Sequence, residues 1–159
     1  MTKDVLIRIV GLQSLGEADG QEPIELVIGG EYYYQNGSHY LRYEEMVEGF
    51  NEKTINYIKI SPKGVEVRKK GLINVHMVFE KEKKNVTYYA TPFGNIEMGI
   101  SAARVHLQEG IDHLNAKVDY ALEMNGEYVA DCFLTIEAQS KDAGHFEIRK
   151  KPSSSYRYF

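Results

Sequence analysis

Apolar residues recur at every second position through most of the chain, and that period leaves room for little except β-strands. Val5, Ile7 and Ile9 fall on one side of the first such run, because successive side chains of a strand point to opposite faces. The alternation returns over residues 24–28, 73–79, 96–100 and 118–122. Long runs with helical spacing are missing. The two short helical candidates, residues 44–50 and 102–109, read equally well as strands. Between the runs stand turn residues. Asn36-Gly37 and Asn125-Gly126 supply the positive φ that a two-residue hairpin demands. Ser61-Pro62-Lys63-Gly64, Lys70-Gly71, Thr91-Pro92-Phe93-Gly94 and Glu109-Gly110 mark further reversals, and residues 80–85 form a charged hairpin tip. Short, regular spacing of about nine or ten such segments is the mark of a sandwich or a barrel.

Hairpin connections throughout predict an up-and-down order. Two long segments, residues 95–108 and 112–124, favour closure, since long tilted strands wrap a barrel and leave no free edge. Gly29-Gly30 and Gly99 allow the sheet to bend. The expected fold is therefore all-β, a closed up-and-down antiparallel barrel of about eight strands, with a two-sheet sandwich as the alternative. Its 159 residues fit one domain, large enough to bury roughly 70% of the unfolded chain's surface. We place the barrel in residues 1–140 and read 141–159, with its Pro152-Ser153-Ser154-Ser155 run, as a C-terminal extension or loose tail.

Charge and cysteine usage narrow the partners. A net charge of −4 and a pI near 5.8 argue against nucleic acid, whose phosphates reward basic surfaces. No apolar stretch is long enough for a membrane span, and the start of the chain carries no secretory pattern. The one cysteine, Cys132, fits a reducing compartment and a cytoplasmic location, and it reads as a small buried hydrophobe.

Several segments, taken in order, resemble a known family. They are residues 40–45 (Tyr40-Leu41-Arg42-Tyr43-Glu44-Glu45), 54–60 (Thr54-Ile55-Asn56-Tyr57-Ile58-Lys59-Ile60), 67–71 (Val67-Arg68-Lys69-Lys70-Gly71), Met77-Val78-Phe79 and the run from Tyr88 to Gly94. The chain is similar over residues 5–136 to the YwiB-like proteins of Bacillus and its relatives. That resemblance implies an eight-stranded, lipocalin-like barrel of the calycin type. It implies no activity and supplies no catalytic residues.

No chemical motif stands out. There is no nucleophile elbow, P-loop or zinc-protease signature, and Gly11 and Gly16 precede no helix that would hold a phosphate. His106 and His113 flank a turn and make at most half a metal site. No catalytic residue, metal ligand or cofactor is assigned. The polar set worth following is Tyr43, Glu45, Arg68, Tyr89 and Thr91. If Glu45 and Arg68 both point inward they pair, with tyrosine hydroxyls completing the site; a buried pair costs desolvation and invites a functional reason, and arginine recognises carboxylates bidentately. The competing expectation is that Arg68, off the Val65/Val67 face, points to solvent. The leading functional expectation is a binding module holding a small, partly apolar ligand in the barrel. A filled barrel acting through its outer surface is the alternative. An enzyme using Glu45, Arg68 and the tyrosines ranks last and requires those groups to converge. Oligomeric state is not legible.

Overall fold

The computed structural model describes residues 1–11, 24–46 and 48–141. Its strands are β1 (Asp4–Val10), β2 (Glu25–Gln35), β3 (Ser38–Met46), β4 (Lys53–Ser61), β5 (Gly64–Gly71), β6 (Val75–Glu80), β7 (Lys84–Thr91), β8 (Gly94–Glu109), β9 (His113–Met124) and β10 (Glu127–Ser140). All belong to one antiparallel sheet in the order β6-β5-β4-β3-β2-β1-β10-β9-β8-β7. Consecutive strands pair antiparallel except β6 and β7, which end the sheet, and β1 and β10 pair at its centre, Val5 opposite Ser140 and Val10 opposite Thr135.

The two ends of the sheet then meet. Asn74 and Ala90 exchange two backbone hydrogen bonds, at 3.0 and 2.9 Å, and the Asn85 amide donates to the Val78 carbonyl at 3.4 Å. No continuous ladder joins β6 to β7 among the described residues. The barrel is thus nearly closed, with one loosely laced seam. The up-and-down barrel expected from the sequence is present, but the described residues form ten strands rather than about eight. Strand count in a barrel is set together with tilt and stagger, which are properties of pairing between strands and invisible in the period of any one of them. Both short helical candidates are strand, residues 44–46 in β3 and 102–109 in β8. The proposed tail lies outside the described residues apart from Lys141.

Turn chemistry behaves as local physics requires. Asn36 and Gly37, and again Asn125 and Gly126, all have positive φ, the twist that matches flanking strands. Within β2, a Cβ on Gly30 would sit 2.5 Å from Ile7 Cδ1 and 2.6 Å from the Arg42 carbonyl, so only glycine lets β2 bend this closely over its neighbours. Bulges between Ala102 and Arg104 in β8, and between Tyr128 and Ala130 in β10, bend the two longest strands around the core.

Alternate residues of each strand fill the interior: Val5, Ile7 and Ile9 from β1, Ile58 and Ile60 from β4, Phe79 from β6, Leu134, Ile136 and Ala138 from β10, with Phe79 packed edge-on to Tyr120. Ile7, Ile60, Phe79 and Ala138 present no surface at all to a water-sized sphere. The side chains at these interior positions are closely packed. One mouth carries the turns at 36–37, 62–63, 81–83 and 110–112 and is called the Gly37 mouth. The other carries the connections at 72–74, 92–93 and 125–126 and is called the Phe93 mouth.

Candidate functional site

Towards the Phe93 mouth the inward positions change from apolar to polar. The period of β3 turns Leu41, Tyr43 and Glu45 inward, that of β4 Asn56 and Ile58, and that of β5 Val65, Val67 and Lys69. Register sets Asn56 directly opposite Lys69. Lys69 Nζ donates to Glu45 Oε1 at 3.0 Å and to Asn56 Oδ1 at 2.7 Å, and Asn56 Nδ2 donates to the same Glu45 oxygen at 2.9 Å. Only 3% of the Lys69 side chain and 10% of that of Glu45 is exposed. Burial lowers the Lys69 pKa, and Glu45 opposes that shift. The three side chains form a closed, neutral network, the arrangement that makes a buried charge tolerable.

The conditional pairing of Glu45 with Arg68 does not occur: Arg68 points outward, as the competing expectation had it, and Lys69 meets Glu45 instead. Arg68 stands on the outer face, opposite Tyr57 and His76, and donates to His76 Nδ1 at 3.3 Å. A strand cannot send adjacent residues to the same side, so one of Arg68 and Lys69 had to be inside. The signal was legible: Lys69 continues the Val65, Val67 alternation. The expectation that lysines sit in water obscured it. The convergence of Glu45 with Arg68 that an enzymatic reading required is absent.

Tyr43 and Tyr89 do gather around Glu45. Burial first, and the Glu45 charge second, raises the Tyr43 pKa well above its ordinary value. The same two causes, in the same order, push Tyr89 up to about 12. Thr91 sits at the rim in a turn-capping role. Its hydroxyl donates to the Gly94 carbonyl at 2.9 Å and accepts from the Phe93 amide at 3.1 Å. Tyr89 and Thr91 line a cleft of about 380 Å³ at this mouth, walled by Phe50, Ile73, Phe93 and Ile96. Phe50 and Phe93 meet edge to face, 6.4 Å apart. Tyr89 is buried and Phe93 is 88% exposed, so the cleft runs from an aromatic rim down to a phenol whose neighbour is a carboxylate.

A second polar group, at the Gly37 mouth, carries no signal in the sequence. The Tyr32 hydroxyl is hydrogen-bonded to His39 Nδ1 at 2.8 Å, and His39 Nε2 is bonded to Glu109 Oε2 at 2.6 Å. His39 comes from β3 and Glu109 from β8, strands far apart in the sheet, so this chain of bonds ties opposite walls together. A broad outer groove of about 820 Å³ lies beside the β8 bulge, with Arg104, Asp119, Asp131 and Cys132 among its lining. Burial raises the Cys132 thiol pKa. His106 lies opposite Lys117 and His113 opposite Gln139, so the two histidines do not face each other. No group of three or more His, Cys, Asp or Glu stands ready for a metal among the described residues. No helix among them is long and apolar enough to cross a membrane.

Comparison with known proteins agrees with this architecture. A family model described as a domain of unknown function, DUF1934, matches residues 7–136. The chain is 29% identical over 115 residues to the uncharacterized beta-barrel protein YwiB of Bacillus subtilis (strain 168), covering 72% of this chain and 78% of that protein. The crystal structure of the ywiB protein from Bacillus subtilis aligns with a TM-score of 0.67 at 21% identity, covering 87% of this chain and 92% of that one. At that identity the structural likeness speaks for the fold alone.

Proposed function

Since the chain belongs to the DUF1934 family, whose description assigns no activity, we propose a function from the site itself: a binding module that takes a small, partly apolar ligand in the cleft at the Phe93 mouth. The observation that carries this reading is the cleft's construction. Apolar walls from Phe50, Ile73, Phe93 and Ile96 lead to the buried Tyr89, and apolar walls around a few placed polar groups are the general form of small-molecule sites. Among the residues singled out from the sequence, Tyr89 and Thr91 line the cleft, Tyr43 and Glu45 stand behind Tyr89, and Arg68 takes no part. The single cysteine supports a cytoplasmic setting.

The test is a thermal melt with phenylalkyl compounds of graded length. A ligand that binds only the folded chain raises the melting temperature by mass action. At tenfold its dissociation constant the expected rise is about 3–5 °C. Phe93→Asp, at an exposed rim position, should leave the unliganded melt unchanged and remove the rise. A melt insensitive to every such compound would discard the proposal.

The close packing of the interior side chains supports a second reading, an interaction module that works through its outer surface. Val86, Tyr88 and Phe93 are all more than half exposed near the seam and its mouth. Under this reading Phe93→Asp changes self-association or partner capture, measured by light scattering, and small compounds have no effect.

A further inference from the structure

Three oxygens, one on Tyr89 in the cleft lining and two on Glu45 and Tyr43 behind it, have no hydrogen-bond partner among the described residues. Glu45 Oε1 accepts from both Lys69 and Asn56, while Oε2 makes no hydrogen bond among the described residues. Nor do the Tyr43 and Tyr89 hydroxyls, and none of the three oxygens is sealed from solvent. Polar atoms inside a folded chain that lack a protein partner are bonded to water or to a ligand instead. Two phenols and a carboxylate oxygen left open inside a barrel, with Glu45 acting electrostatically on both phenols, form a prepared place for a polar group.

The charge count decides which group. Glu45 and Lys69 neutralise each other, and Lys69 already spends bonds on Glu45 and Asn56. An incoming carboxylate would meet the open oxygen of Glu45, itself an acceptor only when ionised. An incoming ammonium would place a second cation beside a carboxylate that Lys69 already satisfies. Either would leave a net charge in a recess walled by apolar side chains, which costs more than a neutral polar group. A hydroxyl or carboxamide can donate to Glu45 Oε2 and exchange hydrogen bonds with the phenols without changing the charge.

We propose that the cleft selects an uncharged ligand, an apolar or aromatic body carrying a hydrogen-bond-donating head such as an alcohol, phenol or carboxamide, with Glu45 Oε2 and the Tyr89 hydroxyl binding that head. The inference rests on the binding reading above and specifies its ligand class.

The experiment compares 4-phenylbutan-1-ol, 4-phenylbutylamine, 4-phenylbutyrate and butylbenzene, which share one body, by ligand-observed NMR titration at pH 7. The alcohol should bind at least tenfold more tightly than the acid and measurably more tightly than the amine and butylbenzene. Tyr89→Phe keeps the ring and removes one hydroxyl. It should weaken the alcohol about 3- to 10-fold, the range of one hydrogen bond, and leave butylbenzene unchanged. If the acid or the amine binds most tightly, or all four bind alike, the head-group selection is overturned while the cleft stands. An alcohol affinity untouched by Tyr89→Phe, checked for folding by near-UV circular dichroism, overturns the role of the hydroxyl. Binding by none of the four removes the cleft reading and this inference together.

Discussion

Lys69 carries the largest single energetic commitment near the cleft. Removing the ammonium would leave Glu45 charged and buried with Asn56 as its one hydrogen-bond partner among the described residues. Lys69→Met should therefore destabilise the fold by about 3–5 kcal/mol, the usual cost of breaking one half of a buried pair, read from urea unfolding midpoints at pH 7. Arg68→Met, one residue earlier and outside, should fall within about 0.5 kcal/mol of the parent. Tyr89 gives a pH signature. Its folded pKa, about 12, lies above the ordinary value of 10, so the unfolded chain loses the phenolic proton first. The stability this contributes is complete below pH 10 and is lost as pH rises from 10 to 12. Lys69 works in the opposite direction. Its folded pKa is lowered, so the unfolded chain holds the proton longer, and stability from this group rises with pH up to its ordinary value near 10.5. Comparison with Tyr89→Phe separates the two. Between pH 9 and 12 the parent should lose about 2 kcal/mol more than the variant. Equal losses would mean that Tyr89 titrates as a solvated phenol.

At the scale of strands, the inward and outward faces follow the two-residue period without exception around the site: Tyr43 and Glu45 in, Glu44 out; Lys69 in, Arg68 and Lys70 out. What the period leaves open is the strength of each pairing. β1 lies between β2 and β10 along its whole length, whereas β7 is laced to β6 by little more than the Asn74–Ala90 bridge. Amide hydrogen exchange should mirror this difference. Amides at the centre of β1 and β10 should exchange only through global unfolding, and those of Val86 and Tyr88 should exchange at least a hundredfold faster. Uniform protection across all ten strands would show that the seam is as firmly bonded as the rest. The bend of β2 is also a local matter. Gly30→Ala must displace Ile7 or the backbone at Arg42 and should cost about 1–3 kcal/mol by overpacking.

For the whole molecule, the decisive feature is where the chain's first and last strands meet. Pairing of β1 with β10 closes the sheet at its centre, and the Thr2 amide lies 3.0 Å from Ser140 Oγ. The weakest join falls instead between two strands that are neighbours in sequence, β6 and β7. A permuted chain with Thr2 joined to Lys141 by a short linker and new ends at 81–83 should fold with a circular dichroism spectrum like the parent's. New ends at 62–63 would open the fully paired β4–β5 hairpin and should give a lower melting temperature. Equal stability of the two permutants would contradict the seam. The His39–Glu109 contact across the Gly37 mouth belongs to the same scale, since it joins walls that the sheet itself keeps apart.

The sequence alone determined that this chain is built of antiparallel strands joined by hairpins, and which side chains share a face. Those properties come from the two-residue geometry of a strand and the backbone demands of turns such as Asn36-Gly37 and Asn125-Gly126, and both act within a few residues. It also singled out Glu45, Tyr43 and Tyr89. Only the tertiary structure decided that ten strands of the described residues form the nearly closed barrel, and that Glu45 meets Lys69 while Arg68 faces outward. Those outcomes depend on register and curvature between strands distant along the chain, where a shift of one residue exchanges the inside for the outside.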